Sequence, residues 1–286
     1  MRKRINLKKR YLFSILFVAL IIGFSNSFQF RMSDSEVISY FGQTTPPEVK
    51  YLEVGQRTVR YLWQNNGHKT TVILVHGAPG SSSAFIDFFH NQDLRSKVNI
   101  ISIDRLGYGY SGYGEAEPSL ESQAEVIQEI VADLSLDHVI LLGHSLGAPI
   151  IARAALENPK SYAGLVMVAG SMDPDQEPVE WYRTWLRNGL AEFILPASLI
   201  VTNEEIYFLK DQLLDLRPEL KQIEIPLIVI QGESDQLVPM ENATFIQEHV
   251  ASKELEVWLE PQVNHFIPWN RPDLIVDGIL KLEGKL

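Results

Sequence analysis

Gly143-His144-Ser145-Leu146-Gly147 is the stretch on which the reading of this chain turns. It has the form G-x-S-x-G. A β-branched and leucine-rich run, His138-Val139-Ile140-Leu141-Leu142, leads into it, and a helix-like stretch from Ala148 to Asn158 leads away. On so sharp a strand-to-helix turn a serine is pushed out of the backbone, where a base can reach it. The glycines stand where a Cβ would collide with the neighbouring strand and helix. Three fixed positions are a weak pattern alone, so the weight falls on the elements around them and on motifs elsewhere.

Outward from the serine, strands and helices alternate. Tyr51–Val54 and Thr58–Trp63 read as a strand pair around Gly55-Gln56. Thr71–Val75, Val98–Ile103, 138–142, Ala163–Val168, Pro226–Ile230 and Leu255–Leu259 read as further strands, by their apolar and β-branched runs. Helices are expected over Ala84–Leu94, Ser119–Leu134, 146–157, Met240–Val250 and Pro272–Leu282. The second of these carries apolar residues at 120, 124, 127, 131 and 134. This alternation predicts an α/β fold: a mostly parallel sheet of about eight strands, with helices on both faces and reactive groups at the carboxyl ends of the strands. Residues 28–49 read as a polar linker before a domain spanning 50–286. Between about 171 and 224 the strand rhythm stops. That insertion reads as a small helical cap whose aromatics, Trp181, Tyr182, Trp185, Phe193, Tyr207 and Phe208, are expected mostly in its own core, with a minority lining a pocket.

A serine hydroxyl needs a base to take its proton, and the base needs a carboxylate to fix its tautomer. His265, in Val263-Asn264-His265-Phe266-Ile267-Pro268 just past the last strand, is the best-placed base. His68 and His138 sit at the starts of strands, His90 and His249 on surface helices, and His144 beside the serine. Asp235 follows the strand 226–230 and is the candidate acid, with Glu233 the runner-up. The oxyanion of an acyl transfer needs backbone N–H donors. Leu146, at a helix N-terminus, and Ala78, in the loop Val75-His76-Gly77-Ala78-Pro79-Gly80, are the expected pair.

With these pieces assembled, the chain from about residue 50 to its end resembles the α/β-hydrolase superfamily, most of all its capped esterase, lipase-like and haloperoxidase-like branch. The resemblance rests on His76-Gly77-Ala78-Pro79-Gly80, Asp104-Arg105-Leu106-Gly107-Tyr108-Gly109-Tyr110-Ser111, the Ser145 pentapeptide, Gly232-x-x-Asp235-x-x-Val238-Pro239 and His265-Phe266-x-Pro268, all in the family's order. It implies Ser145 as nucleophile, His265 as base and Asp235 as orienting acid. It also implies structural roles for His76, Asp104 and Arg105. Asn264 stands where this branch often has glycine, and Leu106 where proline is frequent; neither removes a catalytic atom. Serine at 145 argues against the dehalogenases and epoxide hydrolases of this fold, whose nucleophile is aspartate. The expected activity is cleavage of a carboxylic ester with an apolar group. Carbon–carbon bond hydrolysis or cofactor-free perhydrolysis on the same triad is the alternative, and a non-catalytic binding module is a more distant one.

Composition narrows the partners. A net charge of −11 disfavours nucleic acid, and the absence of cysteine removes disulfides, thiolate catalysis and cysteine-bound metals. No metal or organic cofactor is indicated, and the oligomeric state is left open. Arg2, Lys3, Arg4, Lys8, Lys9 and Arg10 precede an apolar run from Tyr11 to Phe24, followed by Ser25-Asn26-Ser27. That pattern fits a signal peptide over 1–27, or an uncleaved membrane anchor. Either places the rest of the chain outside the cytoplasm, with 19 basic against 36 acidic residues and a net charge of −17.

Overall fold

Continuous apolar runs make the strands at the centre of the sheet, and patterns interrupted by polar residues make those at its margins. The computed structural model describes residues 30–285 apart from 178–180, 188, 190 and 192–194, so the expected signal or anchor segment lies outside the described residues. One sheet of eight strands runs in the order β1-β2-β4-β3-β5-β6-β7-β8. β1 (Glu48–Val54) and β2 (Arg57–Gln64) are antiparallel, and β2 pairs antiparallel with β4 (Asn99–Ile103). β3 (Thr70–Val75), β5 (His138–His144), β6 (Tyr162–Val168), β7 (Leu227–Gly232) and β8 (Leu255–Glu260) complete a parallel array with β4. Every residue of β3, β4 and β7 is buried, as expected of parallel strands covered on both faces, whereas β1 and β8 are partly exposed edges.

Side chains two apart on a strand share a face. Ile73, Val75 and Leu141 therefore pack on one side with α2 (Leu120–Asp133) and α3 (Gly147–Glu157). Val72, Leu74, Ile140 and Leu142 pack on the other with the 3₁₀ turns Ser82–His90 and helix α6 (Pro272–Glu283). After β3 the chain turns one way to β4 and then crosses back to β5. The loops leaving β3 and β5 therefore diverge, which opens a crevice at their carboxyl ends.

Two expectations fail. The polar stretch 28–49 is not simply a linker, because it contains helix α1 (Asp34–Phe41) and the start of β1. Ser33 caps α1 and Glu36 returns the bond, a capping box, while Val37 and Phe41, one turn apart, are buried against the sheet. The S-x-x-E signature of that cap lies in a stretch whose polar composition masks the helix. The insertion between β6 and β7 holds α4 (Trp181–Leu186) and α5 (Ala197–Leu216) and no strand among the described residues. Its aromatics are not core: Trp181, Tyr182 and Trp185 are exposed, and Tyr207 and Phe208 are half-buried. Phe193 lies outside the described residues.

The sharp turn after β5 depends on glycine. A Cβ at Gly147 would overlap the Val75 carbonyl oxygen, and one at Gly143 would overlap the Gly147 carbonyl. Both obstacles are backbone and have no rotamer by which to yield. Gly147→Ala is expected to destabilise the chain by about 1–3 kcal/mol, read as a lower urea midpoint with an unchanged slope.

Candidate active site

Ser145 sits at the tip of that turn with φ of 54°, a left-handed conformation that a side chain rarely adopts. Strain of this kind amounts to about 1–3 kcal/mol and persists only where the surroundings enforce it. Here the Ser145 N–H donates to the Val168 carbonyl at 2.9 Å, and the Ser145 carbonyl accepts from Ala148 at 3.0 Å and Ser171 at 3.3 Å. With its backbone so held, the side chain projects into a cavity, and among the described residues its hydroxyl has no hydrogen-bond partner.

His265 lines the same cavity. It follows β8 on a loop and is itself buried. Its Nδ1–H donates to Asp235 Oδ2 at 2.8 Å, which leaves Nε2 as the basic nitrogen. Asp235 Oδ1 accepts from the N–H groups of Leu237 and Val238, each at 2.8 Å. Burial pushes the Asp235 carboxyl up, but the hydrogen bonds from His265, Val238 and Leu237 outweigh it and hold it below the usual carboxylate range. Glu233, two residues earlier, is exposed and takes no part. His144, set aside as a neighbour of the serine, turns out to brace the base: its Nε2–H donates to the His265 carbonyl at 3.0 Å. Burial, then the nearby His265, lowers His144 to about 3, so it stays neutral and serves as a fixed donor.

Ala78 and Leu146 line a cavity with Ser145, and among the described residues neither backbone N–H has an acceptor. The loop carrying Ala78 is fastened from behind. His76 Nδ1–H donates to the Gly77 carbonyl at 2.6 Å, and its Nε2 accepts the Arg105 N–H at 3.1 Å. Burial, together with the Arg105 charge, drives His76 well below its usual value, consistent with that neutral tautomer. Arg105 Nη2 also donates to the Gly77 carbonyl, at 3.2 Å. The Arg105 guanidinium meets Glu205 of α5 at 2.6 and 3.1 Å, and Tyr108 and Gln123 donate to the same carboxylate. Both charges are buried, Arg105 at 0% and Glu205 at 2% exposure. Asp104 accepts from the Ser82 and Tyr110 N–H groups and from Arg60, which holds the loop after β4.

Two cavities meet at Ser145, His265, Ala78 and Leu237. The larger, about 690 Å³, is walled mainly by apolar groups including Phe30, Ala84, Leu199, Phe266 and Trp269. The smaller, about 470 Å³, runs under the insertion past Gln176, Glu177, Tyr182, Arg183 and Gln236. Among the described residues no cluster of His, Asp and Glu is arranged to hold a metal ion.

A family model described as alpha/beta hydrolase fold matches residues 70–191, which span β3, the Ser145 turn and the start of the insertion. The uncharacterized hydrolase YugF of Bacillus subtilis is 26% identical over 256 residues, covering 77% of this chain and 92% of its own length. The chain has the alpha/beta-hydrolase fold, and these matches support that superfamily. Another hydrolase relative, a 2-hydroxy-6-oxononadienedioate/2-hydroxy-6-oxononatrienedioate hydrolase of Klebsiella pneumoniae, is 23% identical over 277 residues, covering 82% of this chain and 96% of its own. The crystal structure of a Paleococcus ferrophilus monoacylglycerol lipase has the same fold, with a TM-score of 0.64 and 18% identity over 79% of this chain and 98% of its own. Ser145, Asp235 and His265 all lie at the carboxyl ends of strands of this sheet, where Asp235 and His265 are hydrogen-bonded and His265 shares a cavity with Ser145.

The residues missed from the sequence are those whose partners are distant. Glu205 gave no local signal as the counter-ion of Arg105, a hundred positions away. Removing one member of a buried pair strands the other charge. Glu205→Ala is therefore expected to cost about 3–5 kcal/mol in urea denaturation. Glu177 offers a pH test. Burial lifts it to about 7 against hydrogen bonding from Ser171 and the Arg183 charge. An acid whose folded pKa lies above its unfolded value of 4.5 stabilises most below pH 4.5, and that contribution is lost as pH rises towards 7. Glu177→Gln should thus gain about 1–3 kcal/mol over the parent chain between pH 4.5 and pH 8, read from paired denaturation curves.

Proposed function

We propose that this hydrolase cleaves carboxylic esters through an acyl-enzyme on Ser145. His265 Nε2 takes the hydroxyl proton as Ser145 Oγ attacks the carbonyl carbon. The oxyanion is received by the N–H groups of Ala78 and Leu146. Collapse of the tetrahedral intermediate expels the alkoxide, which leaves as the alcohol with the proton returned by His265. Water then attacks the acyl-enzyme, giving up a proton to His265, and the acid departs as Ser145 Oγ recovers it. The observation that carries this reading is the 2.8 Å His265–Asp235 bond in a cavity shared with a serine in left-handed conformation. The apolar walls of the larger cavity favour an apolar acyl or alcohol group. The basic and then apolar start of the chain supports a hydrolase domain held or released outside the cytoplasm.

A second reading is favoured by one feature. Arg183 sets a positive charge in the smaller cavity, suited to a carboxylated substrate. The Klebsiella relative is named for a 6-oxo dicarboxylate, a molecule without an ester, in which hydrolysis at the keto carbon breaks a carbon–carbon bond.

A fluorophosphonate should label Ser145 in the full chain. Ser145→Ala should abolish labelling and lower kcat on p-nitrophenyl butyrate by about 10⁶-fold, and Asp235→Asn by about 10⁴-fold. Absence of labelling would favour a binding module. A kcat/KM for a 2-hydroxy-6-oxo-dienoate above that of the best ester would move the assignment to carbon–carbon hydrolysis.

A further inference from the structure

The rim of the larger cavity is unusually apolar for a surface in contact with water. Phe30, Leu237, Phe266 and Trp269 are 44%, 66%, 50% and 50% exposed, yet all four line the cavity that holds Ser145. They arrive from the N-terminal segment, the loop after β7 and the loop and single-turn helix after β8. Four large apolar side chains from three segments, gathered at one opening and half in solvent, form a patch that marks an interaction surface. In the insertion, Trp181 and Trp185 on α4 are exposed as well, and tryptophan is the side chain most suited to a membrane–water boundary.

What covers this rim follows from where the chain enters the domain. Phe30 comes six residues after Phe24, the end of the apolar run that follows the basic cluster. Immediately after it the chain is pinned. Arg31 donates to the Gly109 carbonyl at 2.7 Å and lies over the Tyr110 and Tyr113 rings at 4.6 and 4.1 Å, and Asp34 accepts from the buried Arg60 at 2.9 Å. The point of entry is thus fixed at the cavity mouth. Six residues span at most about 21 Å, whereas a domain of this length is about 45 Å across. If the apolar run is held in a bilayer, a tether this short holds the mouth side against it, and the far side stays remote.

We propose that the cavity mouth docks on a phospholipid bilayer, and that the hydrolase draws a lipid acyl ester from it. The substrate class rests on the ester reading above; the docking surface does not. The acidity of the domain directs it to zwitterionic lipid, where seating depends on apolar burial and not on charge.

The absence of cysteine makes the test direct. Leu237→Cys, Phe266→Cys and Asp137→Cys are each prepared in the full chain, residues 1–29 included, and labelled with a fluorophore. Asp137 is exposed just before β5, at the amino ends of the strands and so opposite the mouth. The proteins are incorporated into phosphatidylcholine vesicles with and without doxyl-labelled lipid. The expected result is loss of fluorescence at 237 and 266 with none at 137. Weak, equal quenching at all three positions in protein that floats with the vesicles would overturn the proposal. So would probes at 237 and 266 shielded from both doxyl lipid and aqueous iodide, which would assign the rim to residues 1–29. Shielding that grows with the protein-to-lipid ratio would assign it to a second copy. The two rim positions serve as independent reporters, and near-UV circular dichroism verifies their fold. Fluorophosphonate labelling in the same vesicles reports separately on the hydrolase reading.

Discussion

The reactive edge of this hydrolase depends on how closely two backbone segments approach behind Ser145. The first residues of α3 lie directly against the end of β3, with no room for a Cβ between Gly147 and the Val75 carbonyl. That contact forces the strand-to-helix reversal into a single residue, so Ser145 takes a conformation its own side chain disfavours. In return, the N–H of Leu146 and the N–H of Ala78 reach the same cavity as the hydroxyl. Backbone donors fixed before substrate arrives need little reorganisation as charge develops. The strain is local, and the buried strands on either side oppose its release.

The insertion between β6 and β7 is tied to this edge through a buried ion pair. Arg105 leaves the end of β4, and Glu205 belongs to α5, yet the two meet without water and share Tyr108 and Gln123 as further partners. Burying both charges brings a desolvation penalty that the paired geometry must offset, so the bond is better understood as fixing position than as adding net stability. The same guanidinium holds the Gly77 carbonyl. A shift of α5 would therefore be felt at the loop that carries Ala78. Through this chain of contacts α5 and the loop that carries Ala78 form one mechanical unit.

The converging side chains and the cavity walls around them come from different parts of the chain. Asp235, His265 and Ser145 come from three loops at the strand ends, and the cavities on either side of them differ in character. One is apolar and opens at an aromatic rim; the other carries Arg183, Glu177 and glutamine side chains beneath the insertion. Relatives with the same fold act on unlike molecules because the sheet fixes the reacting groups while the loops set the walls.

Much of this was legible locally. The central parallel strands show as runs of apolar and β-branched residues, because burial on both faces of a parallel sheet demands it, and the edge strands β1 and β8 show as apolar residues interrupted by polar ones. Ser145, Asp235 and His265 could be picked out because each lies just past a strand, and the parallel topology gathers strand ends to one edge. Helix α1 was obscured by its polar composition, although Ser33 and Glu36 spelled out its cap. Other features exist only in three dimensions. The choice of Asp235 over Glu233 follows from which carboxylate the loop turns inward, the pairing of Arg105 with Glu205 spans a hundred residues, and the exposure of Trp181 and Trp185 depends on what the insertion packs against. The aromatic mouth is of the same kind. By itself the sequence determined the fold and which three side chains, Ser145, Asp235 and His265, come to one edge of the sheet, since those follow from local periodicity and strand-end position. The tertiary structure decided what braces them and how the cavity opens, since those rest on contacts between segments that carry no mark of one another in the chain.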